Sequence, residues 1–148
     1  MGASFRFGDV EDIEQLLPLM QDFYAFERLP YDEARLRKLL EVLIRNRDLG
    51  RLLFFEDADQ LVGYMVLGFG FSLECHGRDC LIDEFYVRPE KRQPGIGRAA
   101  VNFATETCRE LGIKALHLEA DHFNARGHEF YKRLSFQDHD RHLMTRWL

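Results

Sequence analysis

The stretch RPEKRQPGIGRAAVNFA, residues 88–104, places two glycines and several cations directly before an apolar helical pattern. Gly95 and Gly97 flank Ile96 where a strand passes through a turn into a helix. Such a helix N-terminus is an anion site, because unpaired N–H groups and the helix dipole converge there and glycine lets a phosphate approach the backbone. The fixed positive charges around it come from Arg88, Lys91, Arg92 and Arg98. That much charge suits a pyrophosphate with a further phosphate.

Three kinds of phosphate ligand compete for this loop. A Walker A loop is excluded because the pattern GxxxxGK[ST] is absent. The segment GIGRAA fits the dinucleotide pattern GxGxx[GA], but seven residues with two prolines separate Val87, the expected strand end, from Gly95. Coenzyme A is the third ligand. A plain glycine-rich turn with solvated cations is the alternative that the pattern alone leaves open.

Composition narrows the class of protein. A chain of 148 residues is long enough for one core, and we expect a single domain over residues 1–148. The net charge of −5 argues against nucleic acid as a partner, and no apolar run is long enough to span a membrane. Three cysteines without a CxxC pair indicate reduced thiols and a cytoplasmic location. Cys75, His76 and Cys80 match no standard zinc spacing, so no metal is expected.

The hydrophobic pattern predicts an α/β (α+β) fold with the order β-α-α-β-β-β-α-β-α-β-β. Asp9 and Asp32 are expected to cap the first two helices, and Pro18 to kink or end the first one early. The best strand is DCLIDEFYVRP, which runs into the glycine loop. Asn124 is expected to cap the last helix, and residues 135–148 to form one or two closing strands.

At this point the sequence resembles the GNAT (Gcn5-related) N-acetyltransferases. RQPGIG matches their R/Q-x-x-G-x-G/A pyrophosphate loop, LIDEFYVRPEKR is similar to their central strand, and ALHLEA to the strand that splays away from it. NARGHEFYKRLSF resembles their segment N-x-x-A-x-x-x-Y-x-x-x-G-F. Asn124 and Tyr131 hold the Asn and Tyr of that pattern, while Gly127 replaces Ala and Ser135 replaces Gly. The resemblance implies a mixed, mostly antiparallel sheet of about six to seven strands with helices on both faces.

The resemblance also implies transfer of an acetyl group from acetyl-CoA to an amine by direct attack, without an acyl-enzyme. Tyr131 would be the acid that protonates the departing thiolate, although a core tyrosine is the simpler structural explanation. The cofactor contacts that carry over lie on the central strand, in the loop and on the last helix. They are Phe85, Tyr86, Val87, Arg92, Gln93, Pro94, Gly95, Ile96, Gly97, Arg98, Asn124 and Gly127.

Asp83 and Glu84 are the candidates for the base that deprotonates the amine. Strand alternation predicts that they point to opposite faces, so that only one faces the cleft. Glu84 is the favoured one, since it directly precedes the segment FYV, whose backbone in this family runs along the pantetheine. Either carboxylate would act directly or through a water molecule.

The acceptor side resembles the polyamine and thialysine acetyltransferases of the same family, most closely in IDEFYV and FYKRLSF. Glu27, Tyr24 and Asp83 would then bind a small cationic amine such as a di- or polyamine. A protein lysine or N-terminus is the alternative acceptor. A non-catalytic acetyl-CoA-binding module and a nicotinamide-dinucleotide enzyme are the alternatives of other classes. The apolar segment HLMTRWL is expected to form an edge strand in a homodimer.

Overall fold

The computed structural model describes residues 2–92, 94–121 and 123–148, and its centre is one mixed sheet. The five strands lie in the order β1-β2-β3-β4-β5, antiparallel except for the parallel pair β4 and β5. Their bounds are Ser4–Phe7 (β1), Gly50–Asp57 (β2), Gln60–Ser72 (β3), Gly77–Val87 (β4) and Ala115–Leu118 (β5). The predicted fold class is confirmed.

Four α-helices cover the sheet, with short 3-10 turns at Val10–Asp12 and Pro89–Lys91. The helices are Ile13–Phe26 (α1), Glu33–Arg45 (α2), Ile96–Glu110 (α3) and Ala125–Arg133 (α4). In the part of the chain that the structure describes, none of them has the length and apolar character needed to cross a membrane.

The sheet buries side chains on both faces. On one face α1 and α2 pack against the sheet around Leu16 and Tyr64, which are fully buried. On the other face α3 packs with Val101 against Leu67 and its neighbours. Successive residues of the central strands β3 and β4 point alternately into the core under α1 and α2 and into the core under α3. Both strands therefore carry apolar side chains on both faces.

Asp32 caps α2 as predicted, since its side chain accepts from the backbone N–H of Arg35 at 3.1 Å. Asp9 accepts from the backbone N–H of Val10 and caps the 3-10 turn Val10–Asp12 that leads into α1, while α1 itself has no side-chain cap. The expected break at Pro18 is wrong, because α1 continues through it to Phe26. Pro18 lies on the exposed side of α1, where water can bond to the carbonyl of Glu14 that lacks an N–H donor from Pro18.

Strand β4 contains one extra residue in the middle of its ladder with β3. Val66 pairs with Glu84 and Leu67 with Ile82, so Asp83 has no partner of its own and forms a β-bulge. On its other edge β4 pairs with β5 only from Asp79 to Ile82. The two parallel strands therefore separate beyond Ile82, next to the bulge.

The predicted closing strands are wrong. Residues 135–148 contain no strand, and the sheet has five strands where six to seven were expected. The segment carries the apolar pattern of a strand, but a strand also needs a neighbour that shares its backbone hydrogen bonds. The apolar side chains there face solvent, and Trp147 is 90% exposed.

Candidate active site

A cavity of about 580 Å³ opens between the sheet and the helices α1 and α2. Its walls are mainly aliphatic, and three acidic side chains of β4 reach it. The wall residues include Met20, Leu36, Leu39, Leu40, Leu43, Val66, Leu67 and Leu81, and the acids are Asp79, Asp83 and Glu84. The leucines of α2 thus form a wall of the cavity as well as part of the core, which explains why Leu39 stays 55% exposed.

Both candidate bases line this cavity, so the expectation that Asp83 and Glu84 point to opposite faces is wrong. Regular alternation would separate neighbouring residues, but the bulge inserts an additional residue and restarts the alternation. The bulge was not evident from the sequence, because it contains no glycine or other marker residue at that point. Its effect is to bring two carboxylates to one site.

Glu84 is held between two tyrosine hydroxyls. Tyr24 donates to Oε2 at 2.6 Å, and Tyr64 donates to Oε1 at 2.7 Å. Burial raises the pKa of Glu84, the two hydroxyl donors counteract that rise, and the charge of Asp83 adds to it. Burial beside this carboxylate raises the pKa of Tyr24 and of Tyr64, so both phenols remain donors. The result is a fixed carboxyl group with an elevated pKa, as a general base requires.

Asp83 lies at the mouth of the same cavity. Asp83 is exposed to solvent, but the apolar walls beside it remove part of the water around its carboxylate. This desolvation raises the pKa of Asp83. No hydrogen bond to a described side chain holds it, in contrast to Glu84. Its position suits contact with an incoming amine.

The predicted acceptor residues separate into two groups. Tyr24 lines the cavity and holds Glu84, and Asp83 lines it too. Glu27 lies just beyond the end of α1, is exposed, and is not among the cavity residues. Tyr64 and Asp79 are site residues that the sequence reasoning missed. Tyr64 lies opposite Tyr86 across the β3–β4 ladder and reads in sequence as an ordinary buried strand residue.

The predicted anion loop has the expected backbone form. Gly95 occupies the N-cap position of α3 with φ 96°, a left-handed conformation that favours glycine, and no described side chain caps the helix. The first N–H groups of α3 are therefore available to an anion. At Gly97, an added Cβ would lie 3.0 Å from the ring of Phe130, so helix α4 packs closely there.

A second cavity, of about 290 Å³, lies at this loop. Lys91, Pro94, Gly95 and Ile96 are among its lining residues, and Arg98 lies exposed in the first turn of α3. Asp57 lines the same space and pairs with Lys91 at 3.6 Å, so the positive charge that remains for an anion comes from the uncapped helix start and from Arg98.

Arg92 acts on the loop itself. Its Nε donates to the carbonyl of Val87 at 2.8 Å, and its guanidinium lies over the rings of Phe26 and Tyr86. Arg92 therefore holds the loop against the end of β4 through its Nε. Its two terminal guanidinium nitrogens remain available to a ligand. Gln93, the adjoining predicted contact, lies outside the described residues.

The predicted pantetheine strand is the free edge of β4. Phe85, Tyr86 and Val87 pair with β3 on one side, while β5 leaves their other side after Ile82. The side chains of Tyr86 and Val87 are buried in the two cores, so only the backbone of this segment faces the gap. An extended amide-containing chain fits such an edge.

The start of α4 shows a structural role for two predicted contacts. Asn124 caps α4 by accepting from the backbone of Gly127 at 2.9 Å. An added Cβ at Gly127 would lie 2.4 Å from the Asn124 amide nitrogen, which accounts for the small residue. Tyr131 is half-buried between Phe130 and Phe136, with ring centroids 5.2 and 5.7 Å away. Burial raises its pKa, so its phenol stays protonated.

Comparisons with known proteins agree with this geometry. A sequence model described as the Acetyltransferase (GNAT) family matches residues 13–136. The thialysine N-epsilon-acetyltransferase of Bos taurus is 33% identical over 78 residues, which are 53% of this chain and 45% of the bovine protein. The matched segment therefore spans less than half of that relative.

Two solved structures show the same fold. An integron cassette protein from the mobile metagenome of Cole Harbour Salt Marsh has a TM-score of 0.87 and 30% identity, covering 97% of this chain and 90% of that one. A predicted acetyltransferase with acetyl-CoA from Clostridium acetobutylicum has a TM-score of 0.81 and 21% identity, covering 97% and 96%.

An uncapped helix start behind a glycine loop, next to the free edge of a strand, suits an extended ligand that carries an anionic group. The chain belongs to the GNAT acetyltransferase family. It is an N-acetyltransferase, and acetyl-CoA is the co-substrate of this family. This assignment favours coenzyme A over the dinucleotide as the ligand of the glycine loop.

Proposed function

We propose that this chain transfers the acetyl group of acetyl-CoA directly to a primary amine of a small cationic molecule, such as a di- or polyamine. The observation that carries the proposal is Glu84, fixed by Tyr24 and Tyr64 inside a cavity that also contains Asp79 and Asp83. Aliphatic walls with carboxylates at intervals suit a flexible chain that carries more than one ammonium group.

The proposed reaction needs an acid, a base and a binding site for the co-substrate. Glu84, directly or through a water molecule, accepts a proton from the ammonium group and leaves a neutral nucleophile. The amine nitrogen then bonds to the acetyl carbonyl carbon, and the carbon–sulfur bond breaks. Tyr131 donates its phenolic proton to the departing thiolate, which leaves as the thiol. The nitrogen loses its second proton through solvent to the Tyr131 phenolate, and Glu84 releases its proton to solvent. The proposed ligands of the co-substrate are the free edge of Phe85–Val87, the glycine loop and the first N–H groups of α3.

Asp83 supports the choice of a polyamine. It lines the same cavity as Glu84 on β4, so a second ammonium group of a bound diamine finds an opposite charge while the first one faces the base. The family also includes acetyltransferases of protein lysines and N-termini. An aliphatic cavity of about 580 Å³ matches the size of a small amine better than that of a peptide segment.

An acceptor panel tests the proposal. Release of the thiol from acetyl-CoA is followed with diamines and polyamines of increasing length, with monoamines of matched length, and with a lysine-containing peptide. We expect kcat/KM for the best diamine to exceed that of the matched monoamine by at least about tenfold, since a hydrogen bond to a charged group contributes about 1.5 to 3 kcal/mol and tenfold corresponds to about 1.4 kcal/mol. Equal values for both, or a preference for the peptide, would refute the polyamine assignment.

Asp83→Asn is the matching variant. It should reduce the preference for diamines while monoamine turnover stays close to that of the parent chain. A parallel loss with both kinds of amine would instead show that Asp83 acts on the fold of the cavity or on the reaction itself.

We also propose that the protein is a homodimer in which residues 143–148 lie against a second copy. Four large apolar side chains near the end of the chain are exposed, and such a group is uncommon on the surface of a monomer. They are Leu143, Met144, Trp147 and Leu148. Trp147 is the only tryptophan, so its emission reports this segment alone. A shift to shorter wavelength with rising protein concentration, together with a dimer in sedimentation, is expected. A monomer at every concentration would refute it.

Two further features accompany the proposal. The family match leaves few residues of the chain outside it, which supports a single acetyltransferase domain over residues 1–148. Cys75, Cys80 and Cys108 are all free thiols, which supports a reducing, cytoplasmic location.

A further inference from the structure

A second cluster of reactive side chains lies beyond the acetyl-transfer groups. It joins the turn between β3 and β4 to the two parallel strands β4 and β5. Cys75 comes from the turn, Asp79 from β4 and His117 from β5. All three side chains are partly buried, and their ligand atoms lie within 4.8 Å of one another. Asp79 also lines the large cavity, so the cluster borders the acceptor space.

The two distances from His117 match one coordination shell, and the third pair of ligand atoms lies within 4.8 Å. The Nε2 of His117 lies 3.2 Å from Oδ2 of Asp79 and 3.6 Å from Sγ of Cys75. A tetrahedral zinc ion with ordinary bond lengths separates its nitrogen and oxygen ligands by about 3.3 Å, and its nitrogen and sulfur ligands by about 3.6 Å. Both observed distances agree with those edges to about 0.1 Å.

The same geometry argues against a nucleophilic relay. A cysteine, histidine and aspartate relay uses the two ring nitrogens separately, one toward the nucleophile and one toward the orienting carboxylate. Here Asp79 and Cys75 both approach the single nitrogen Nε2 of His117. Two groups and the ring nitrogen that both approach can all bind one ion placed between the three atoms, as the ligands of a metal ion do.

The chemistry of the three ligands also fits zinc. One thiolate, one imidazole and one carboxylate are ligand types that zinc combines, and the two anionic ligands neutralise the charge of the dication. On binding, the Cys75 thiol loses its proton to the solvent and a sulfur–metal bond forms. The three ligands come from separate elements, which is why the chain shows no standard zinc spacing.

We propose that Cys75, Asp79 and His117 form a binding site for a zinc ion, with the fourth position taken by water or by a ligand in the cavity. The ion fastens the β3–β4 turn to β5, a strand of only four residues that is otherwise paired along one edge of β4. This proposal does not depend on the identity of the acetyl acceptor.

Metal binding by the full chain tests it. The chain is stripped with a chelator and dialysed against zinc, and its metal content is measured. We expect one zinc ion per chain. The variants Cys75→Ser, Asp79→Asn and His117→Gln should each weaken binding by at least about 100-fold, because loss of a mere supporting contact already costs about 10- to 100-fold. His139→Gln, which changes an exposed histidine outside the cluster, should bind as the parent does.

Two spectroscopic and chemical readouts separate this site from adventitious binding. Cobalt should give a thiolate-to-metal charge-transfer band that Cys75→Ser abolishes and His139→Gln retains. Zinc should protect Cys75 from iodoacetamide, while the buried Cys80 and Cys108 are internal references in the same digest. Zinc at about one hundred times its Kd should raise the Tm by about 5 to 10 °C. Zinc content equal in the parent and the three variants, or alkylation of Cys75 unaffected by zinc, would overturn the proposal.

Discussion

Replacing Tyr24 by Phe removes one of the two hydroxyl donors that hold Glu84 and leaves the ring in place. Tyr24 Oη donates to Glu84 Oε2 at 2.6 Å, and this bond lowers the pKa of Glu84 against the rise that burial causes. Without the donor, the pKa of Glu84 rises. The ionised base then appears only at higher pH, so the acid limb of the pH profile of kcat/KM moves upward.

The size of the shift follows from the hydrogen bond. A bond to a charged group contributes about 1.5 to 3 kcal/mol, and one pKa unit corresponds to 1.36 kcal/mol. This gives an upward shift of about one to two units. Tyr24 is half-buried, and water replaces part of the lost bond, so about one unit is expected for Tyr24→Phe. Tyr64 is fully buried, so Tyr64→Phe should shift the limb further in the same direction.

The assay measures thiol release from acetyl-CoA over a range of pH with one amine. The pKa of the free amine also enters the profile, but it is the same for every variant, so the differences report the enzyme. Tyr31→Phe is the matched control, because its hydroxyl donates to the carbonyl of Leu17 and its ring packs against Tyr24. Its acid limb should coincide with that of the parent chain.

An acid limb of Tyr24→Phe that coincides with the parent limb, in a protein with an unchanged Tm, would refute the reasoning. It would mean that the titrating base is a group other than Glu84. A downward shift would contradict the sign of the argument as well.

Three further predictions concern the loop, the acid and the cavity mouth. Gly95→Ala should weaken acetyl-CoA binding at least about tenfold in calorimetry. Gly112 also has a positive φ and lies beyond the end of α3, so Gly112→Ala is the control. Both variants should lose about 1–2 kcal/mol of stability, but Gly112→Ala should keep the affinity for acetyl-CoA. Tyr131→Phe should lower kcat by about 10²- to 10⁴-fold with little change in the Kd for acetyl-CoA, as proton donation predicts; an unchanged kcat would exclude Tyr131 as the acid. Burial raises the pKa of Asp83 above its unfolded value, so the folded chain holds that proton more tightly and loses stability as pH rises through this pKa. Asp83→Asn should therefore melt at a higher temperature than the parent at pH 8, and the gain should vanish in acid; an equal difference at both pH values would contradict the linkage.

Much of the fold follows from local sequence signals. The caps at Asp9, Asp32 and Asn124, the central strand and the glycine loop were predictable because each depends on a few neighbouring residues. The loop predicts a phosphate ligand for the same reason, since unpaired N–H groups and the helix dipole bind anions. The choice of coenzyme A depended on the resemblance of the loop and two further segments to the GNAT family.

Features that depend on distant partners were not predictable. The bulge at Asp83 results from the register between β3 and β4, and it alone brings both carboxylates to the cavity. The role of Tyr64 depends on Glu84, a residue of the next strand. The closing strands of residues 135–148 have a strand pattern but no pairing partner in the described chain, so local propensity was misleading there.

Intact-protein mass spectrometry tests direct transfer through the Glu84 site most directly. The parent chain and Glu84→Gln are incubated with acetyl-CoA alone and with acetyl-CoA plus a diamine, and the masses of protein and amine are recorded. The account predicts an unmodified protein in every mixture, acetylated diamine from the parent chain, and formation of that product at least about 10²-fold slower with Glu84→Gln. An acetyl group retained on the protein during turnover, or equal product formation by Glu84→Gln, would contradict it.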